Sequence, residues 1–301
     1  MPNDPSLPSL RDTIFGLIPQ FTASERKVAH VILADYPYGG LIPIRDLARR
    51  SCVSAPSVTR FVTKIGCGGY QDFQRQLIGA LKQRELSPIE LKMAGSSDKS
   101  AHLVTDYTHR LMRLITQMAE TVSENTFDEV CMQIADPARN IFVLGGRVTN
   151  SIALLLSVHL RQFRARIYHL PTDPEKLPEY VLRMRKQDVV ILFDMRRYEP
   201  SLTELAELIA STRASQIIAI TDKWLSPVSQ HATHVFALPT DTHTPWGSQI
   251  CLVSLVEAII VRTSTSDWPA TRKRIEQWDA IRFSLGGRTR EETELPPPDQ
   301  G

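Results

Sequence analysis

The chain has 301 residues, of which 42% are hydrophobic and 23% charged, which is enough for more than one compact core and too apolar for a disordered polymer. Its most apolar long segment, LVSLVEAIIV, is broken by Glu257, so a membrane span is not expected. The formal net charge is only +2, yet residues 1–84 carry 11 Lys+Arg against 6 Asp+Glu, an uneven split that suits nucleic acid bound through one end.

The opening MPNDPSLPSL has neither a basic start nor an apolar block, and a cytoplasmic location is expected. From Thr22, TASERKVAHVILADY begins with a T-x-x-E capping box and continues with Val28, Val31 and Ile32 at helical spacing. PIRDLARRS repeats that spacing with Ile44, Leu47 and Ala48. A turn at Cys52 leads into SAPSVTRFVTKIG, where Val58, Phe61, Val62 and Ile65 form one apolar stripe. Gly66, Gly68 and Gly69 stop this helix and YQDFQRQLIGAL starts another. The four cysteines (Cys52, Cys67, Cys131, Cys251) are scattered, which predicts neither disulfides nor a metal site.

Pro, Gly and Ser in residues 84–100 mark a linker, followed by a long helix with Leu111, Leu114, Ile115 and Met118 on one stripe. From about Asn125, short apolar runs (IFVLGG, RIYHL, VVILF, IIAIT, HVFAL) alternate with helical patterns, the signature of a parallel sheet covered on both faces. TRKRIEQWDAIRFSL predicts a last helix, and ETELPPPDQG a disordered tail. The expected fold class is α/β. An all-α domain spans 1–84, with a helix-turn-helix at about 43–62. A linker and connecting helix fill 85–124, the sheet domain spans 125–268, and a helix and tail occupy 269–301.

Two short helices joined by a tight turn describe a helix-turn-helix. With the stripe of the second helix facing inward, Arg60 points away from the core, flanked by Ser57, Thr59, Thr63 and Lys64. Ser54 is the expected N-cap and Pro56 fits the first turn. Arg60 has the reach for guanine edges, Ser57 and Thr59 for base or phosphate, and the helix N-terminus for a phosphate. By spacing alone, a helical bundle with a solvated polar face fits equally well.

FTASERKVAHVILADYP followed by IRDLARRSCVSAPSVTRFVTKIGCGGYQDFQ resembles the N-terminal domain of RpiR-family bacterial transcription regulators over about residues 7–83. The shared pattern is V-S-x-x-S/T-V-x-R-F, a lysine, then G-x-x-G-aromatic. The resemblance implies a DNA operator as partner, read as a homodimer or higher homo-oligomer, with Ser54, Ser57, Thr59, Arg60, Thr63 and Lys64 at the interface. Cys52 departs from the family, which has glycine at that turn.

The resemblance further implies a SIS (sugar isomerase) domain, a flavodoxin-like sheet that binds phosphosugars. Residues 220–239, ITDKWLSPVSQHATHVFALP, are similar to the family's I-T-D-x-x-x-S-P-x-x-x-x-A-D, with His234 in place of the final acid. Ligands of such sheets lie beyond the carboxyl ends of the strands. There the family's G-x-G-x-S is replaced by GGRVTNS, and its S-x-S-G-x-T hydroxyl loop by DMRRYEP.

Arg147, Arg196 and Arg197 therefore suit a small anionic effector, phosphosugar or carboxylate, held by guanidinium forks with Thr149, Asn150, Ser151 and Tyr198 orienting it. Only one of the adjacent Arg196 and Arg197 is expected to face a ligand. The competing reading pairs these arginines with Asp194, Glu199 or a second subunit. Trp224 and Trp246 suit packing or stacking, Glu257 a pocket arginine or a dimer interface, and His243 a pocket mouth.

The leading function is a DNA-binding transcription regulator with an effector domain, not an enzyme. An active isomerase would need a general base such as Glu199 or His243, and no acid/base pair is evident. A nicotinamide sensor would need G-x-G-x-x-G, which GGRVTNS lacks although Asp173 stands near the acid's place, so no cofactor is expected.

Overall fold

The computed structural model describes residues 10–34, 36–85, 102–213, 215–242, 244 and 246–285. The predicted 84–100 linker and the C-terminal tail lie largely outside them, as does His243.

The head consists of α1 (Leu10–Leu17), α2 (Ala23–Ala34), α3 (Ile44–Arg50), α4 (Ala55–Lys64) and α5 (Tyr70–Glu85). The capping box forms: the Thr22 amide donates to the Glu25 carboxylate at 2.8 Å and the Glu25 amide to the Thr22 hydroxyl at 3.3 Å. Val28 and Ile32 of α2, Leu47 of α3, Val58, Phe61 and Val62 of α4, and Phe73 and Leu77 of α5 are fully buried together. The Phe21 and Phe61 rings meet at 5.2 Å, tilted.

α3 and α4 end in the same hydrogen-bond motif. After α4, Gly66 (φ 88°) donates to Thr63 and Cys67 to Val62. After α3, Cys52 takes the glycine's place at φ 51°, donating to Arg49 while Val53 donates to Ala48. A left-handed turn is thus made without a glycine, at a cost of about 1 kcal/mol.

α6 (Leu103–Thr121) follows, but its predicted stripe is narrower than expected: Leu114 is buried and Met118 half-buried, whereas Ile115 is exposed. α7 (Glu124–Ala135) leads into the sheet domain: β1 (Ile141–Gly145), α8 (Asn150–Phe163), β2 (Ile167–His169), α9 (Leu177–Arg183), β3 (Val189–Asp194), α10 (Pro200–Thr212), β4 (Gln216–Asp222), β5 (His234–Leu238), α11 (Ile250–Thr265) and α12 (Trp268–Leu285). The five strands are all parallel in the order β2-β1-β3-β4-β5, with Ile141 beside Val189 and Val189 beside Gln216.

Every residue of β1 and β3 is buried, as β-branched and apolar runs require of strands covered on both faces. Alternate side chains divide between two cores. Ile141, Val143, Ile191 and Phe193 pack under α7, α8 and α11; Phe142, Leu144, Val190 and Leu192 pack under α9 and α10. The helices that follow β1 and β3 therefore cover opposite faces, which opens a crevice at the carboxyl ends of these two strands.

Candidate nucleic-acid interface and effector cavity

On α4 the six expected DNA-facing residues separate into groups. Ser54 takes the N-cap position in extended conformation, but its hydroxyl pairs with Ser57 Oγ at 2.9 Å instead of capping a backbone amide. Arg60 Nη2 donates to Ser57 Oγ at 3.1 Å, so Ser54, Ser57 and Arg60 form one polar row along the helix. Thr59 and Thr63 are exposed, with hydroxyls donating to Ala55 and Thr59 carbonyls. Lys64 departs from the expectation. Its ammonium donates to the Gln20 carbonyl at 2.7 Å and the Glu25 carboxylate at 2.9 Å, and lies 5.5 Å from the centre of the Phe21 ring. At the last turn of α4 it faces the start of α2 and ties the head together. Sequence reasoning overlooked Arg45, Arg49 and Arg50, which α3 exposes beside α4; the run IRDLARRS carried that signal.

The crevice between β1 and β3 holds a cavity of about 200 Å³ bordered by Arg147, Asp194, Arg196, Arg197, Glu199, Thr149, Trp246 and Gln249. Its walls are short turns locked to one another. The Thr149 hydroxyl donates to the Phe193 carbonyl at 2.7 Å and the Gly146 amide to the same oxygen at 3.0 Å, fixing the turn after β1 against the end of β3. The Arg147 amide donates to Glu199 Oε1 at 3.3 Å. Gly145 admits no side chain, since a Cβ there would lie 2.5 Å from the Asn150 amide nitrogen. Both Arg196 and Arg197 border the cavity. A left-handed backbone at Arg197 (φ 69°) turns the loop at that point.

Asp194 lies in the cavity wall, 2% exposed. Its carboxylate accepts from the Glu199 amide at 3.1 Å and from the Ser226 hydroxyl. Burial pushes its carboxyl up to about 6, helped by the nearby Asp222 and Glu199 charges and opposed by the hydrogen bonds from Ser226 and Glu199.

Three expected effector residues fall elsewhere. Asn150 serves the turn, its side-chain oxygen accepting from the Gly145 amide at 3.3 Å and pairing with His169 Nε2 at 2.9 Å. The exposed Ser151 donates its hydroxyl back to Val148. Tyr198 leaves the cavity altogether: its hydroxyl donates to buried Asp222 at 2.6 Å, and its ring packs against the helical head. Trp224, 7% exposed, is buried in that same apolar cluster, so it packs and does not stack. Trp246 is 69% exposed at the cavity rim, and Glu257 is exposed on α11. A larger groove of about 1010 Å³ runs between α9 and α10, but its lining is largely apolar (Leu177, Val181, Leu202, Leu205) and shares only its mouth, Gly146, Arg147 and Glu199, with the polar cavity.

Among the described residues no cluster of His, Cys, Asp and Glu is placed to hold a metal ion, and no helix is long and apolar enough to cross a membrane.

Residues 12–84 match the model of the helix-turn-helix domain of the rpiR family, and residues 134–262 that of the SIS domain. The Escherichia coli HTH-type transcriptional regulator HexR is 23% identical over 260 residues, covering 83% of this chain and 86% of that protein. The Burkholderia orbicola bifunctional protein glk is 26% identical over 243 residues, 78% of this chain, and the chain spans only 35% of that protein's length. Among solved structures, the sugar isomerase domain of an RpiR transcription factor from Sphaerobacter thermophilus is 18% identical with a TM-score of 0.55, covering 60% of this chain and 99% of that one. The Vibrio vulnificus NanR protein complexed with ManNAc-6P is 16% identical with a TM-score of 0.51, over 92% of this chain and 99% of the other. With both domain models matched in order, the chain belongs to the RpiR family, a helix-turn-helix head joined to a SIS domain.

Proposed function

We propose that this chain is a cytoplasmic transcription regulator that binds duplex DNA through α3 and α4 and senses a small anionic metabolite in the cavity between β1 and β3. The observation that carries this reading is the pairing of an exposed Ser54–Ser57–Arg60 row, flanked by the α3 arginines, with a separate polar cavity bordered by Arg147, Arg196 and Arg197. The amino-terminal end of α8 adjoins this cavity through Thr149, and α10 begins just after its residue Glu199, so backbone amides add to its attraction for anions.

Relatives support both halves of the reading. HexR is a transcriptional regulator of nearly the same length, and the NanR structure holds a phosphosugar. The loop replacement makes guanidinium groups, in place of hydroxyls, the anion's partners here. We further infer a homodimer. Leu154 and Val158 of α8 and Trp278 and Ile281 of α12 are exposed on helices joined through Arg274 and the Arg161 carbonyl.

The test has two arms. Selection of duplexes from a random pool by the full chain should converge on a paired half-site sequence, with affinity falling steeply as salt rises. A melt panel of phosphosugars and of di- and tricarboxylates should give a shift that Arg196→Ala or Arg197→Ala abolishes. Failure to enrich any sequence would sink the DNA half, and steady turnover of a phosphosugar would make the SIS domain an isomerase instead.

A further inference from the structure

The head and the effector domain share a core. Residues 222–226, the end of β4 and the loop after it, send Trp224 into the apolar cluster built by α1 to α5, and residues 195–198, the loop after β3, send Tyr198 against it. Arg11 of α1 reaches back, its Nη1 donating to the Lys223 carbonyl at 2.6 Å. Both loops hang on Asp222, which is fully buried. Its carboxylate accepts from the Arg196 amide at 2.7 Å, the Tyr198 hydroxyl at 2.6 Å and the Trp224 amide at 3.0 Å.

The loop after β3 also walls the effector cavity, through Met195, Arg196 and Arg197. Asp194 joins the two loops by accepting from Ser226, and Arg197 borders both the effector cavity and a second one of about 580 Å³ that opens between the domains beside Tyr38 and Tyr198. Each loop also carries a strained residue: Arg197 and Leu225 hold left-handed backbones at φ 69° and 57°. Such conformations persist only where the surroundings impose them.

We propose that residues 195–198 and 222–226 form a clasp by which the SIS domain holds the DNA-binding head, linking occupancy of the arginine cavity to the position of α4. A ligand that draws Arg196 or Arg197 toward itself pulls on the backbone that Asp222 ties to Tyr198 and Trp224. The cavity then favours one placement of the head over another, which is what a sensor requires of differential binding. The regulatory consequence rests on the regulator reading above; the clasp itself does not.

Hydrogen–deuterium exchange on the full chain tests it, using wild type, Arg11→Ala, Tyr198→Phe and Trp224→Ala. Substitution on one domain should speed exchange on the other: Arg11→Ala at residues 195–198 and 222–226, Trp224→Ala and Tyr198→Phe at residues 10–21. Strands β1 and β3 should stay protected throughout, which shows the SIS domain still folded. Affinity for a fluorescein-labelled duplex selected from the random pool should change at least about fivefold in Trp224→Ala, with a smaller change of the same sign in Tyr198→Phe. Exchange changes confined to the substituted domain in both Arg11→Ala and Tyr198→Phe would overturn the clasp. Duplex affinity within about twofold of wild type in all variants would overturn its link to DNA binding. Should wild type select no duplex, the regulator reading falls while the exchange results still decide whether the clasp exists.

Discussion

Replacing Asp194 by Asn should remove a pH dependence of stability that the wild-type chain carries between about pH 4 and pH 6. The Asp194 carboxyl sits at about 6 in the folded chain, against an ordinary 3.8, with burial the first cause. The folded state thus binds a proton across this window that the unfolded state has already released. Stability from this group is present below the window and is lost as pH rises through it. A rise of about two pH decades, at about 1.36 kcal/mol each, makes the loss about 3 kcal/mol by pH 7.5. Asn fits the same bonds: its oxygen accepts from the Glu199 amide and its amide donates to the Ser226 hydroxyl, which already accepts from the Val228 amide at 3.2 Å. The variant's advantage over wild type should therefore widen by about 2 kcal/mol between pH 4.5 and pH 7.5, about 4–8 °C in the melting of the SIS domain. Asp136 and Asp188, whose hydrogen bonds hold their carboxyls low, weaken both proteins alike at acid pH, so the difference between melts isolates Asp194. A wild-type to variant difference that stays constant from pH 4.5 to 7.5 would refute the argument.

Arg60→Ala should weaken duplex binding by about 1–3 kcal/mol in anisotropy titrations and leave the head's melting unchanged, since Arg60 is exposed. Lys64→Ala should do the reverse, lowering head stability by about 1 kcal/mol through loss of its bonds to Gln20 and Glu25 while the salt dependence of binding stays put. Gly145→Ala places a carbon against backbone at 2.5 Å, and calorimetry should show a destabilisation of about 1–3 kcal/mol or more. If α8 and α12 form the dimer face, Trp278→Glu combined with Ile281→Glu should halve the mass seen by light scattering without altering the circular dichroism spectrum.

The strands and most of the helices were legible because burial on both faces writes itself as short apolar runs, and an amphipathic face as a stripe. The helix Leu10–Leu17, the helix Glu124–Ala135 and the short Leu177–Arg183 went unread, lying outside the segments whose stripe was traced. The turn at Cys52 was legible from its place between two helices, but its left-handed backbone was not, since the residue there is no glycine. The cavity was legible in outline: GGRVTNS and DMRRYEP do meet across β1 and β3, and Arg147, Arg196, Arg197 and Thr149 do border it. Tyr198 was misplaced because its partner, Asp222, lies on another strand and its ring on another domain, neither of which spacing along the chain reveals. Lys64 was misplaced for the same reason, since exposure on a helical wheel ignores the neighbouring helix start.

Arg11 and Lys223 meet across 212 positions of sequence, and Trp224 joins a core whose other buried residues run from Ile14 to Ala80. A ribosome therefore releases the five-helix head, whose own contacts are local and quick to form, well before the indole that covers it exists. Through the synthesis of about 140 further residues, at roughly 5–20 per second, the nascent head presents bare apolar surface for some seconds. Completion of β4 ends that interval, so a chain stopped before Trp224 should yield a head that folds but sticks to chaperones and to other copies of itself.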